Sequence, residues 1–377
     1  MHSTDSRKQA LNKLWSAAID AVSGRQAVKN ALANDSGFHP DLILAVGKAA
    51  AAMCLGALDS FPGCDALVVT KYNHADAELR SQKQVMLIES AHPLPDQKSL
   101  EAGNALFERV NAMAEDSRVL LLVSGGASSL AEALPEDMSL ADWQAITDEM
   151  LSTGKTIEQI NNRRKQTSLI KDGKLVAAFH GAEIRVYAIS DVEGDAIGTI
   201  GSGIGDCHRA SAQAQSSIIA SNQIARQHAR DAAADLGLEV RQNQETLYHD
   251  LFVLAPQISA RLRQAQPGVY IWGGEPTVIL PQDPGRGGRN QSLALALAKD
   301  LAGREDITVL VAGTDGSDGP TEAAGGLVDG NTWSDPVAAQ DALDRADAGS
   351  YLEQHDSLFV TGPTNTNVMD LVIAIID

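Results

Sequence analysis

Between residues 273 and 291 the chain reads Gly273-Gly274-Glu275-Pro276-Thr277 and later Gly285-Arg286-Gly287-Gly288-Arg289-Asn290-Gln291, immediately ahead of an alanine- and leucine-rich run. Glycine lets a backbone approach a ligand closely and take positive φ. The run that follows has helical composition, and a helix N-terminus offers free N–H groups and a partial positive charge. Arg286 and Arg289 add planar forks suited to a carboxylate or a phosphate. The stretch is equipped to hold an anion; the competing expectation is a flexible hairpin loop with surface arginines.

Other places repeat the theme. Gly47-Lys48 puts a cation after an apolar run, and Ser124-Gly125-Gly126-Ala127-Ser128-Ser129 offers N–H groups and hydroxyls at a helix start, an arrangement suited to phosphate. Asp191, Asp315 and Asp318 follow strand-like runs, where Mg²⁺ binding or proton acceptance is open to each and a helix cap or Asx-turn is the ordinary alternative. A lysine, two arginines, carboxylates and several anion-holding loops together describe phosphoryl transfer, which needs charge neutralisation and positioning more than a covalent nucleophile.

Common signatures fail. Gly154-Lys155-Thr156 imitates the end of a P-loop, but the glycine that motif requires falls on Glu149. Gly201-Ser202-Gly203 imitates a dinucleotide fingerprint whose third glycine falls on Asp206. No H-E-x-x-H or Cys/His zinc spacing occurs, and the histidines, His92 among them, read as structural. Asn34-Asp35-Ser36 and Asn290-Gln291-Ser292 match glycosylation sequons only formally.

The elements that must position these residues alternate. Helical spacing covers 3–33 with a break at Gly24. Strands are expected at 41–46, 66–70, 85–88, 119–123 and 185–189. Asp96 caps a helix over about 98–113, and residues 211–236 read as helical. Apolar strands alternating with helices argue a parallel sheet covered on both faces, with ligands beyond the strands' carboxyl ends. The domain boundary is placed near Gly237, dividing 1–236 from 237–377. The second half continues with a helix over about 250–264, strands at 269–272, 277–280 and 307–312, and a helix beginning at Ser334-Asp335-Pro336. A strand near 357–360 follows, then the loop from Thr361 to Asn367 and a final strand.

Composition narrows the partners. The 377 residues carry a formal net charge of −19, with 44% hydrophobic and 21% charged residues, ordinary for a globular chain of about two domains. So acidic a surface repels nucleic acid and anionic membranes, and neither is an expected partner. An anionic substrate needs a local basic patch, which adds weight to the arginines. Cys54, Cys64 and Cys207 form no C-x-x-C pair and read as free thiols of a reducing compartment. No signal peptide and no membrane-spanning run is recognisable, so a cytoplasmic location is expected. A homo-oligomer is compatible with the sequence.

Taken together, the motifs resemble the glycerate 2-kinase family, whose C-terminal part is the MOFRL domain. The stretches that carry the resemblance are Ala45-Val46-Gly47-Lys48-Ala49, Ser90-Ala91-His92-Pro93, Val123-Ser124-Gly125-Gly126, Ser190-Asp191-Val192, Gly273-Gly274-Glu275-Pro276-Thr277-Val278, the Gly285–Gln291 segment, residues 313–321 and Thr361-Gly362-Pro363-Thr364. They run through nearly the whole chain in family order. The resemblance implies an ATP- and Mg²⁺-dependent kinase acting on the 2-hydroxyl of D-glycerate. It implies an α/β fold: a Rossmann-like three-layer αβα N-terminal domain, a smaller α/β C-terminal domain, and an active site in the cleft between them. It assigns catalysis to Lys48 and to Arg286 or Arg289.

Combined with the reading of the loops, Asp191 is the expected proton acceptor and Asp315 or Asp318 the expected Mg²⁺ ligand. Nucleotide contacts are expected from Ser124, Gly125, Gly126, Ser128, Ser129, Gly273, Gly274, Glu275 and Asn367. Ser292, Glu193, the Ser202-Gly203-Ile204-Gly205 run and Gln166 depart from the family pattern at positions expected near the substrate. The alternatives are a kinase for a related hydroxy acid, an oxidoreductase acting on hydroxypyruvate, and a non-catalytic ligand sensor.

Overall fold

A strand with no polar residue has no face to offer water, so Leu42–Val46 (β1) must lie inside a sheet, and all five residues are buried. The computed structural model describes residues 3–35, 37–155 and 157–377; Ser36 and Thr156, which close one formal sequon and the imitation P-loop, lie outside them. Around β1 assemble Asp65–Lys71 (β2), Val85–Ser90 (β3), Arg118–Val123 (β4), Glu183–Ile189 (β5) and Gln213–Ala220 (β6), in the order β3-β2-β1-β4-β5-β6. Every pairing is parallel. The order reverses between β1 and β4, the switch point outside whose carboxyl ends Rossmann-type sheets bind ligands. Leu44, Val46, Leu67, Leu121, Val123, Val186 and Phe179 fill one core. Asp96 caps the Gln97–Asn111 helix, accepting from Ser99 N (2.9 Å) while its own N–H donates to Ser99 Oγ (3.1 Å), a reciprocal box that satisfies two orphan groups.

The second sheet holds Val240–Glu245 (β7), Gly268–Gly274 (β8), Ile307–Gly313 (β9), Gly325–Asp329 (β10), Leu358–Phe359 (β11) and Asp370–Ile376 (β12), in the order β11-β10-β9-β12-β8-β7. Only β7 and β8 are parallel; the other pairings are antiparallel. Its core gathers Leu254, Ile258, Trp272, Leu293, Leu297, Val309, Val311 and Val372.

The chain packs as two units, Ser23–Ser221 and a second comprising the Thr4–Val22 helix with Asn222–Asp377. This differs from the contiguous division at 236/237. Arg7 explains the first helix: it is buried, donates from Nε to Thr308 Oγ1 (3.0 Å) and ion-pairs with Asp377, while Trp15 meets Phe359 edge-on at 5.4 Å. The Thr4–Val22 helix is thereby fixed to the second sheet.

Three expectations are corrected. Residues 213–220, expected in a helix, form edge strand β6, and the helix starts only at Asn222. Residues 278–280 are not a strand: Thr277 makes a single bridge to Asp250, and Ile279 is 85% exposed, because Pro276 and Pro281 bracket a run with no partner strand. The alternation that continues through the second half does not build a second parallel sheet, since β9, β10 and β12 pair antiparallel.

Candidate active site

In the Ser23–Ser221 unit the loops after β1 and β4 are bound to each other. Lys48 N donates to Gly125 O (2.9 Å), Ser124 N to Val46 O (3.0 Å) and Ala49 N to Ser124 Oγ (3.1 Å). Gly47 has φ +130°, and a methyl group there would fall 2.2 Å from Ser124 Oγ, so only glycine fits. A methyl at Gly125 would fall 2.0 Å from Asp191 Oδ2, and one at Gly126 would fall 3.2 Å from Lys48 Cγ and 3.1 Å from His92 Cδ2. Lys48, His92, the glycine pair and Asp191 therefore converge at the switch point.

The hydroxyls have other work. Ser124 Oγ holds the β1 loop, Ser129 Oγ donates to Gly126 O (3.2 Å) and Ser128 Oγ meets Ser202 Oγ at 2.8 Å. The helix that follows is a single turn, Ala127–Leu130. What the loop leaves unclaimed is backbone: the N–H groups of Gly125 and Gly126 have no acceptor among the described residues. His92 is half-buried, and its pKa is lowered to about 4 by burial, then by Lys48, Lys71 and His74. It is neutral at pH 7.

In the other unit Arg289 and Arg286 part company. Arg289 Nε donates to Asp370 Oδ2 (2.7 Å), Nη2 to Oδ1 (3.3 Å), and Nη1 pairs with Glu275 Oε1 (2.8 Å). Burial works against its charge, but Asp370 and Glu275 outweigh it and raise its pKa. Arg286 lies on the surface, pairing with Glu353. Asp370 is delivered between the ends of β8 and β9, in register with Gly274 and Gly313. Burial pushes its carboxyl up to about 7, against the pull of Arg289.

The N-terminus of the Arg289–Asp300 helix is already occupied by an anion. Asp318 Oδ1 accepts from Asn290 N (3.1 Å) and Oδ2 from Gln291 N (2.7 Å), and a methyl at Gly288 would fall 2.2 Å from Oδ1. Burial raises the Asp318 pKa to about 6. With both oxygens committed to the cap, Asp318 is poorly placed to ligate a metal. Asp315 accepts from Ser317 N (3.0 Å) and Ser317 Oγ (3.2 Å) on Oδ1 alone. Among the described residues no three His, Cys, Asp or Glu side chains converge on a metal position. The donor set fits Mg²⁺ only in the mode where one carboxylate, water and substrate phosphates share the ion.

Gly273 and Gly274 are held by packing: a methyl at Gly273 would fall 1.7 Å from Asn222 Oδ1, and one at Gly274 2.9 Å from Leu247 N. Asn367 Oδ1 accepts from Met369 N (3.0 Å), fixing the turn that leads into Asp370.

Comparison with known proteins decides the family. Residues 10–236 match the model of a domain of unknown function, DUF4147, and residues 268–370 that of the MOFRL family. A protein named D-glycerate 2-kinase from Thermotoga maritima is 31% identical over 421 aligned positions, covering 100% of both chains. The chain belongs to the glycerate 2-kinase family.

A glycerate 2-kinase from Pyrococcus horikoshii is 32% identical, covering 89% of this chain and 87% of that one. A relative from Agrobacterium vitis, 32% identical over 97% of this chain and 94% of its own, carries the provisional name hydroxypyruvate reductase. The crystal structure of the T. maritima glycerate kinase superposes with a TM-score of 0.91 at 30% identity, covering 99% of this chain and 100% of that one. Within this family chain the sequence reading missed Asp370, whose signal is a lone acidic residue at the head of the apolar run Leu371-Val372-Ile373-Ala374-Ile375-Ile376. It also read His92 as structural, although its ring edges the same glycine as Lys48. Ser292 sits buried in the helix, donating from N to Gly288 O (3.0 Å).

Proposed function

We propose that this chain is an ATP-dependent kinase that phosphorylates D-glycerate at its 2-hydroxyl, giving 2-phosphoglycerate and ADP. The observation that carries the reading is Lys48 beside two unclaimed N–H groups at the switch point of a parallel sheet, in a chain that aligns end to end with a D-glycerate 2-kinase. In this reading Gly125 and Gly126 bind nucleotide phosphate through their N–H groups, with Ser124, Ser128 and Ser129 shaping the loop. Lys48 neutralises charge on the γ-phosphoryl. The glycerate 2-oxygen attacks the γ-phosphorus, the bond to the β,γ-bridging oxygen breaks, and Asp191 takes the hydroxyl proton.

Arg289 holds the substrate carboxylate or the transferring phosphoryl on the guanidinium edge that Glu275 occupies, while Arg286 stays on the surface with Glu353. Asp315 is the residue that would hold Mg²⁺, which would supply neutralisation of the charge developing on the phosphates, with Asp318 kept for the helix cap. Gly273, Gly274 and Asn367 support the site by packing and turn geometry. No helix among the described residues is long and apolar enough to cross a membrane, and we place the protein in the cytoplasm, where its three free thiols stay reduced.

The test supplies ATP, Mg²⁺ and D-glycerate and couples product to enolase without a mutase. Signal is expected, because only the 2-phosphate feeds that step directly. ADP release without signal would mean the 3-phosphate or another acid. NADH oxidation by hydroxypyruvate without ATP would replace the kinase reading with the reductase one.

A further inference from the structure

We propose that Lys48, Lys71, His74 and His92 form a carboxylate-binding subsite at the carboxyl ends of β1, β2 and β3, which receives the acid group of a small hydroxy acid. The inference rests on the kinase reading and adds to it the place of the acceptor's carboxylate, so that of the two groups open to Arg289 the transferring phosphoryl is the one left to it.

The register puts the groups together. Val46 pairs with Val69 and Lys71 with Ser90, so Lys48, two residues past Val46, comes level with Lys71, and His92 stands two residues past Ser90. A methyl at Gly126 would touch both Lys48 and His92. The turn after β2 is folded back, with His74 N donating to Lys71 O (3.0 Å) and His74 Nδ1 meeting Tyr72 O at 3.2 Å.

Neither lysine of the group is held by a salt bridge among the described residues, and His92 has no hydrogen-bond partner among them, in a chain with a formal net charge of −19. Both histidines sense the resulting potential. Burial and then Lys48, Lys71 and His74 lower His92; burial, Lys71 and Lys48 lower His74, against its contact with Tyr72 O and the Glu89 carboxylate. Glu89 is itself engaged by Arg80 Nη2 (2.7 Å) and Asn73 N (3.0 Å), and Asp96 by the Tyr72 hydroxyl (2.7 Å). Two ammonium groups and two neutral imidazoles suit a hydroxy acid: the ammonium groups meet its carboxylate, and an imidazole can donate to it or to a hydroxyl.

The test reads two quantities. Lys71→Ala should raise KM for D-glycerate by about tenfold, equivalent to about 1.4 kcal/mol, with KM for ATP within about twofold and Lys71→Arg recovering most of the loss. In the wild-type protein, D-glycerate added without ATP should move the His92 ring resonances saturably and raise the His92 pKa, because an anion favours the charged ring. The NMR measurement needs no variant and decides the matter if Lys71→Ala fails to fold. An unchanged KM for D-glycerate in an active, folded Lys71→Ala, or His92 resonances indifferent to D-glycerate, would overturn the subsite while leaving the kinase reading intact. A response to inorganic phosphate but not to D-glycerate would overturn the assignment to a carboxylate. A wild-type protein silent in the coupled assay sinks the kinase reading and this subsite with it.

Discussion

Asp370→Asn should make the protein more stable near pH 8 than near pH 5, relative to wild type. The side chain is 2% exposed and bound to Arg289, yet burial holds its pKa up to about 7. In the unfolded chain an aspartate titrates near 3.9. A carboxyl with a raised folded pKa contributes stability below the unfolded value and loses it as pH rises through the folded value. A separation of about three pH units corresponds to about 4 kcal/mol in all, of which about 1–3 kcal/mol falls between pH 5 and 8.

The amide has nearly the same shape and can still accept from Arg289 Nε. The Asn290 amide, whose Oδ1 is buried without a partner, can turn over to accept from the new N–H. Urea midpoints of variant and wild type, measured without nucleotide or Mg²⁺ from pH 5 to 8, isolate Asp370, since Asp318 is common to both. The gap should widen in the variant's favour with rising pH. A constant gap, or one that closes, would show that Asp370 is ionised throughout and that the Arg289 pair, not burial, governs it.

Other outcomes follow from single contacts. Arg289→Ala should lower turnover by about 10²–10³, the usual effect of removing a group that stabilises transition-state charge, whereas Arg286→Ala, which breaks only an exposed pair with Glu353, should stay within about fivefold; steady-state kinetics with D-glycerate separate them. Gly47→Ala should cost about 1–2 kcal/mol for its positive φ alone, plus the clash with Ser124 Oγ at 2.2 Å, and should cut activity with the displacement of Lys48; thermal melting and the coupled assay check both. Lys171→Met strands the Glu132 carboxylate, its ion-pair partner, both side chains being fully buried, and should cost about 3–5 kcal/mol. The double variant Glu132→Gln, Lys171→Met should recover much of that loss in urea unfolding.

Most of the first sheet was legible because its strands are short and apolar, and because β1 and β4 run into glycine. Val46-Gly47-Lys48 and Val123-Ser124-Gly125 announce strand ends, and the structure brings those two ends side by side. Strand β6 was not legible: Gln213-Ala214-Gln215-Ser216 is polar enough for a surface helix, and only pairing with β5 at the sheet edge makes it a strand. Strand β10, Gly325-Gly326-Leu327-Val328-Asp329, offers no apolar run to read, and β12 hides its direction, because an apolar run reads the same whether its neighbour is parallel or antiparallel. Asp370 escaped notice, and His92 read as structural, for a common reason. Each acts through residues far away in sequence, and a lone titratable residue carries no spacing to be read.

The Gly-Arg-Gly-Gly-Arg stretch shows why a motif can be right about charge and wrong about mechanism. Its glycines and its helix N-terminus read as an anion cradle, and an anion is there: Asp318, bonded to two N–H groups. An external phosphate would have to displace a buried carboxylate of the protein, so the helix end is structural, and in the proposed reading the anion falls to Arg289. Asp370 and Glu275 surround that guanidinium and balance its charge. The two are not equivalent, however. Asp370, with a pKa of about 7, is partly protonated near neutrality and fixes the plane of the fork. Glu275 is 48% exposed on its side chain, so water can solvate it when it leaves and its pair with Arg289 is worth little. On the proposed reading, an incoming carboxylate or phosphate would exchange one anion for another on the same guanidinium edge, with Arg289 kept aimed by Asp370.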